Sequence, residues 1–194
     1  MTKTKPNIRF QGFEDDWEQR KLGEISKSYS GGTPSASNSE YYGGKIPFIR
    51  SAEINSNATG LFLTQSGLKN SSAKKVKIGD ILYALYGATS GEVGVSRING
   101  VINQAILAIQ PNFNFDSSFI MQWLRFKKQK ITDKYLQGGQ GNLSGSIVKN
   151  LVISLPMYEE QQKIGQLFKQ LDKTIALHQR QLELLKEQKK GFLQ

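Results

Sequence analysis

The sequence predicts an α+β fold: a mixed, mainly β domain followed by a long C-terminal coiled-coil helix. Three observations predict it. Short apolar runs alternate with Gly-, Ser- and Asn-rich stretches from about residue 28 to residue 111, the mark of strands joined by turns. One longer amphipathic segment, "SFIMQWLRFKKQKITDKYL" (118–136), interrupts them. Near the end, apolar residues recur at Ile164, Phe168, Leu171, Ile175, Leu182, Leu185 and Phe192. With His178 and Lys189 filled in, the steps alternate four and three, a seam sustained for four heptads.

The elements follow in order. "DDWEQRKLGEIS" (15–26) reads as a short helix, with acids first and Trp17, Leu22 and Ile25 on one side. Residues 28–44 are loop material. "KIPFIRSAEI" (45–54) and "GLFLT" (60–64) read as strands, and "SSAKKVKIGDILYALYG" (71–87) runs through a basic stretch into another. "EVGVSRI" and "VINQAILAIQP" read as two strands of a hairpin turning at Asn99-Gly100. Asp116 or Ser117 is placed to cap the helix over 118–136, with Ile120, Trp123, Leu124, Ile131 and Tyr135 on its inner face. "LVISLP" (151–156) is the last strand. Glu159 and Glu160 then suit the positive end of a helix from Tyr158 to Gln194. That helix is roughly 55 Å long at about 1.5 Å per residue.

Composition narrows the function. The chain has 194 residues, 38% of them apolar, enough for one domain and an appendage. It has no cysteine, which excludes disulfides, thiol nucleophiles and thiolate zinc sites and suits a cytoplasmic setting. The N-terminus has no apolar signal region, and no run approaches membrane-spanning length. The net charge is +10, but residues 159–194 hold seven Lys/Arg against five Asp/Glu. The excess therefore sits in the globular part and favours a polyanion such as nucleic acid.

Catalytic chemistry is missing. The one histidine, His178, lies in the heptad seam, where a Ser-His-Asp triad has no room. No residues stand at metal-ligand spacing. "GGQGNLSG" fits neither a dinucleotide fingerprint nor a phosphate-binding P-loop. The expectation is a protein with no catalytic residues, no metal and no cofactor of its own.

Three loops combine glycine with small polar residues: 30–37, 86–94 and 137–145. Glycine admits close backbone approach, and Ser, Thr, Asn and Gln hydrogen-bond to phosphates and base edges. Lys74, Lys75 and Lys77 form one basic cluster, and Arg125, Lys127, Lys128 and Lys130 another. Arg50 and Arg97 lie at strand ends near loops, where an arginine can pair with guanine.

Taken together, "WEQRKLGEIS", "GGTPS", "YYGGKIPFIRSAEI", "IGDILYALYGATSGEVGVS", "NGVINQAILAIQP" and "KNLVISLPMYEEQQKIGQLFKQLDKTI" resemble the DNA specificity subunit of type I restriction–modification enzymes. The resemblance runs from Trp17 to Gln194, and the segment "LP…EQQKI…LD" leading into the heptads is its most specific part. It implies a target-recognition domain over 1–156 and a long helix over 157–194 for antiparallel pairing and methyltransferase docking. It also implies double-stranded DNA, methyltransferase (modification) subunits and a restriction/motor subunit as partners. Catalysis and S-adenosylmethionine belong to those partners. Such subunits usually carry two recognition domains and two helices; this chain has one of each, so it reads as a natural or a truncated half-subunit.

A heptad seam needs a facing helix. With one helix per chain, a second copy supplies it, which predicts a homodimer. A symmetric antiparallel register centred on residue 178 brings His178 near its mate and Ile164 near Phe192 of the other copy. Base reading is expected from Thr33, Ser35, Arg50, Tyr86, Thr89, Ser90, Arg97, Gln140 and Asn142. Phosphate contacts are expected from Lys74, Lys75 and Lys77. The rival reading is a coiled-coil assembly protein with a basic domain that binds RNA or DNA generally.

Overall fold

The structure is a computed structural model, and it describes Pro6 and residues 8–136 and 141–193. Among the described residues ten strands form three sheets. The first sheet is antiparallel, in the order β2 (Ser26–Ser30), β9 (Ile106–Pro111), β6 (Ile81–Ala84), β7 (Val93–Val95). The second runs β4 (Phe62–Leu63), β3 (Tyr42–Ile49), β8 (Gly100–Ile102), β5 (Lys74–Val76), with β3 and β8 parallel. A two-stranded ribbon pairs β1 (Glu18–Lys21) with β10 (Val152–Leu155).

The apolar runs of β6 and β9 are continuous because both faces of the first sheet are covered. On β6, Ile81 and Tyr83 face one core while Leu82 and Ala84 face another. On β9, Leu107 and Ile109 join the first core, and Ile106 and Ala108 the second. Two short helices, α1 (Leu22–Ile25) and α2 (Gln65–Lys69), come first in the chain, and the first core includes Ile120, Leu124 and Ile131 of α3 (Ser117–Leu136) and Val148 of α4 (Gly145–Lys149). The second is shared with Ile49 and Ile102 of the second sheet. Period-two alternation thus stacks helices, sheet and sheet in layers.

Several elements form as expected. Asp116 caps α3, its Oδ1 accepting from Phe119 N–H at 2.8 Å. Trp123 and Tyr135 pack against the first core from the same helix. The last strand is β10, and α5 (Tyr158–Gly191) follows with Glu159 and Glu160 in its first turn. Its 34 residues span roughly 51 Å.

Four expectations are corrected. The helix over 15–26 is only α1 (Leu22–Ile25), preceded by β1 and followed by β2. Pairing of Glu18–Lys21 with Val152–Leu155 overrides the local helical pattern, while Leu22 and Ile25 still enter the core. The loop over 28–44 gives up its two ends to β2 and β3. Asn99-Gly100 is not a hairpin turn, because β7 and β8 lie in different sheets. Gly100 is required there by proximity: a Cβ would lie 2.7 Å from the Pro47 carbonyl oxygen. The run 101–111 is likewise two strands, broken at Asn103–Ala105, where Ala105 N–H donates to Asn103 Oδ1 at 3.1 Å. The short helix α4 was not anticipated; Ser144 Oγ caps it by accepting from Ile147 N–H.

The base of α5 is fastened to the domain. Glu160, Gln161 and Gly165 are buried, and Gln161 Oε1 accepts from Asp116 N–H at 3.0 Å. From Gln166 to Leu193 every residue is exposed, including Phe168, Leu171, Ile175, His178, Leu182, Leu185 and Phe192. Ile164 alone of the seam packs against the first core.

Candidate nucleic-acid interface

Strand register decides which loops meet. In the first sheet Ser30 lies opposite Leu107, and Ala84 opposite Ile106. The chain segments leaving Ser30 and Ala84 and entering Ile106 therefore share one end of the sheet. Those are the first glycine-rich loop, the second, and the turn at 103–105. Gly32 N–H donates to Ile102 O at 3.3 Å, and Leu85 N–H donates to Ala105 O at 2.8 Å. The third loop joins through Leu143 N–H, which donates to Leu85 O at 2.9 Å, and through a β-bridge between Tyr86 and Asn142.

Steric room explains the glycine at the start of the first loop. A Cβ on Gly31 would lie 1.8 Å from Ile102 O, so the loop can lie against β8 only without one. Thr33 then reaches Gln104, its Oγ1 donating to Oε1 at 2.6 Å, and both side chains are exposed. Ser35 is exposed and shares a 2.8 Å hydrogen bond with Ser37. Lys74 and Lys75 are exposed on β5, and Lys74 lies opposite Ile102, toward the same end.

The other predicted side chains are placed less uniformly. Tyr86 and Thr89 are half-buried, and Asn142 is exposed. Ser90 is 9% exposed and its Oγ donates to Leu85 O at 3.3 Å, so it shapes the loop from inside. Arg50 is exposed but tied to Glu53, with Nη2–Oε1 at 2.8 Å and Nε–Oε2 at 3.2 Å. That guanidinium holds the Glu53 carboxyl down at about 2. Gln140 lies outside the described residues. Lys77 and Arg97 lie at the opposite end of the first sheet, beyond Ile81 and Val95, which face each other across β6 and β7. The four residues of β6 separate the two ends by roughly 13 Å.

Sequence reasoning missed Gln104. The signal was the polar pair Asn103-Gln104 inside an otherwise apolar run, read as part of a single strand.

A second surface lies where α3 meets α5. An apolar groove of about 730 Å³ is lined by Trp17, Phe119, Trp123 and Phe126 on one side and by Ile164, Phe168, Leu171 and Ile175 on the other. Arg125 and Gln122 of α3 both bind Asp172 of α5, at 3.0 and 2.7 Å, and close its floor.

Among the described residues no group of three or more Asp, Glu or His is placed to hold a metal ion. No helix among them is long and apolar enough to cross a membrane.

Comparison with known proteins agrees with this architecture. Residues 14–187 match the family model described as the type I restriction modification DNA specificity domain. The MjaIX specificity subunit of Methanocaldococcus jannaschii is 28% identical over 181 residues, covering 89% of this chain and 41% of that protein. The HindI specificity subunit of Haemophilus influenzae is 29% identical over 177 residues, covering 82% of this chain and 36% of that protein. The crystal structure of the HsdS subunit from Thermoanaerobacter tengcongensis superposes with a TM-score of 0.66 at 19% identity, over 91% of this chain and 41% of that one. The S subunit from M. genitalium gives 0.65 at 16%, over 89% and 42%. The chain thus spans about two-fifths of the length of the relatives it matches. With the family model covering 14–187, the chain belongs to the type I restriction modification DNA specificity domain family.

Proposed function

We propose that this chain is a non-catalytic, sequence-reading subunit of a type I restriction–modification complex, acting on double-stranded DNA in the cytoplasm. Residues 1–156 form the target-recognition domain and read one half of a split site. Residues 157–194 form the rod that pairs with a second copy in antiparallel fashion and carries the methyltransferase subunits, on which the restriction/motor subunit assembles. Two identical readers related by a two-fold axis specify a palindrome with an unread gap.

The observation that carries this reading is the convergence of three glycine-rich loops and the 103–105 turn on one end of the first sheet. Loops of small polar residues suit close approach to base edges and phosphates. Thr33, Ser35, Gln104 and Asn142 are among the exposed polar side chains there. Lys74 and Lys75 serve as neighbouring phosphate contacts. Tyr86, Thr89 and Ser90 hold the shape of the second loop. Arg50 reads a base only if it leaves Glu53. Rod pairing is supported by the exposed apolar stripe from Phe168 to Phe192, too long for a monomer's surface without a partner.

Fluorescence anisotropy of the purified chain with duplex DNA and with RNA of matched length tests the reading. Duplex binding that weakens with salt and resists RNA competition supports it. Binding that RNA competes away equally supports a general nucleic-acid binder on a coiled-coil scaffold.

A further inference from the structure

A cleft of about 860 Å³ lies across the Gln122/Arg125–Asp172 contact from the apolar groove, between the domain and the base of the rod. Its walls are the β7–β8 connection, the first turns of α3, and α5. Arg97, Arg125, Lys169 and Lys173 line it against a single carboxylate, Asp172. Asp172 is committed to Arg125 and Gln122. The nearby Asp116 is committed to capping α3. Arg97, Lys169 and Lys173 make no ion pair among the described residues, and all three are exposed.

This concentration of like charge opposes folding. Lys169 and Lys173 stand four apart on one helix, an arrangement that weakens it slightly, and Arg97 faces them across the cleft. Positive charge lining a concave surface focuses potential and gathers anions. Lysines on a helix surface carry no base specificity, so the ligand is a phosphate backbone, not a base edge.

Position identifies which backbone. The reading loops sit at the far end of the first sheet, and the cleft sits where the rod leaves the domain. Duplex held between two readers passes alongside the rod through its unread gap. The Gln122/Arg125–Asp172 contact divides the apolar groove from the cationic cleft, so a helix seated in the groove leaves Arg97, Lys169 and Lys173 open.

We propose that Arg97, Lys169 and Lys173 form a phosphate clamp for the duplex backbone of the unread spacer. It holds DNA against the base of the rod without reading it. The clamp rests on the DNA-reading function above and adds a second, sequence-blind contact to it. Arg97 is thereby assigned to phosphate and not to a base.

The test is the salt dependence of binding by the full chain, using a random-sequence duplex of about three helical turns. Lys169→Ala/Lys173→Ala should flatten the slope of log K against log[NaCl] by about two, and adding Arg97→Ala should flatten it by nearly three. Affinity near physiological salt should fall roughly tenfold or more. Lys169→Arg/Lys173→Arg should restore the slope, which a merely structural loss would not. An unchanged slope in the alanine variants overturns the clamp, all the more clearly if those variants lose binding to a methyltransferase subunit, which would make the cleft a protein dock. Absence of DNA binding by the unsubstituted chain would instead overturn the function on which the clamp rests.

Discussion

Arg9 grips Glu160 with two parallel hydrogen bonds, Nε to Oε1 at 3.0 Å and Nη2 to Oε2 at 2.7 Å. The Glu160 side chain is fully buried in the first turn of the rod, and Arg9 is 13% exposed. The same arginine donates through Nη1 to Asp15 O, and Lys163 lies 4.7 Å from the Phe13 ring centre. The segment before β1 therefore straps the base of α5 to the domain. This strap fixes the first turn of the rod against the domain; in the proposed pairing it would also bear on the separation of the two readers.

Breaking that pair leaves a charge buried without its partner, which is more damaging than never having had the pair. Arg9→Ala should lower the thermal midpoint by roughly 5 °C or more and speed proteolytic cleavage near residue 158. Replacing both residues, as in Arg9→Met/Glu160→Leu, should recover much of the midpoint. Equal midpoints for the unsubstituted chain and Arg9→Ala would show that the strap carries no stability.

The proposed reading end separates two kinds of contact. Lys75→Ala should weaken all duplexes alike and flatten the salt slope by about one. Gln104→Ala should instead cost about 1–3 kcal/mol of discrimination at one base pair and leave the slope unchanged. Binding selections from a randomised duplex pool, repeated at several salt concentrations, distinguish the two. Identical losses on every sequence for both variants would remove Gln104 from base reading.

Gly31 tests the packing that brings the first loop to the others. Its missing Cβ would meet Ile102 O at 1.8 Å, a backbone atom that cannot swing aside. Gly31→Ala should destabilise the domain by about 3 kcal/mol or displace the loop from β8. Chemical denaturation gives the first, and loss of protection at the Gly32 amide in hydrogen exchange gives the second. A variant with unchanged stability and unchanged exchange contradicts the close approach.

The Arg50–Glu53 pair makes a prediction in pH. Glu53 has its carboxyl depressed to about 2, first by the Arg50 guanidinium hydrogen bond. Its contribution is present above the ordinary carboxylate range near 4 and is lost as pH falls toward 2. The unsubstituted chain should lose stability over that window more steeply than Arg50→Ala, in which Glu53 returns toward its ordinary value. Carbon-detected NMR titration of the Glu53 carboxyl should show its midpoint rise in the variant. An unmoved midpoint would assign the shift to Thr59 and the backbone instead.

His178 tests the register of the proposed rod pairing. His178→Leu should tighten the dimer by about 1.5–3 kcal/mol through added apolar burial and relax its orientation. The absence of cysteine permits one engineered label, at Gln188→Cys. Antiparallel rods centred on residue 178 put two such labels roughly 30 Å apart, and parallel rods bring them together. A tighter dimer whose label distance stays uniform would relieve His178 of any register-setting role.

The parts legible in the sequence were those set by periodicity. The heptads gave α5, the amphipathic pattern gave α3 with its Asp116 cap, and the apolar run closing 71–87 gave β6. The parts that were not legible depended on distant pairing. Nothing local in "WEQRKL" announces that Val152–Leu155 will make a strand of it. Nothing near Asn99 reveals that the chain is changing sheets, because the constraint is the Pro47 carbonyl more than fifty residues earlier. The site followed the same division. Loop composition picked out three loops that the structure brings together, but strand direction sent Arg97 and Lys77 to the opposite end and placed Gln104 among the loops. The fates of Ser90 and Arg50 turned on a backbone carbonyl and a carboxylate that composition does not reveal.

The most direct measurement is a genome-wide map of adenine methylation in cells expressing this chain with its methyltransferase subunit and no other specificity protein. Two identical readers held apart by mated rods predict one palindromic motif, split by a gap of fixed length. A methylated motif with unlike halves, or a contiguous one with no gap, would contradict the pairing of two copies on which the account stands.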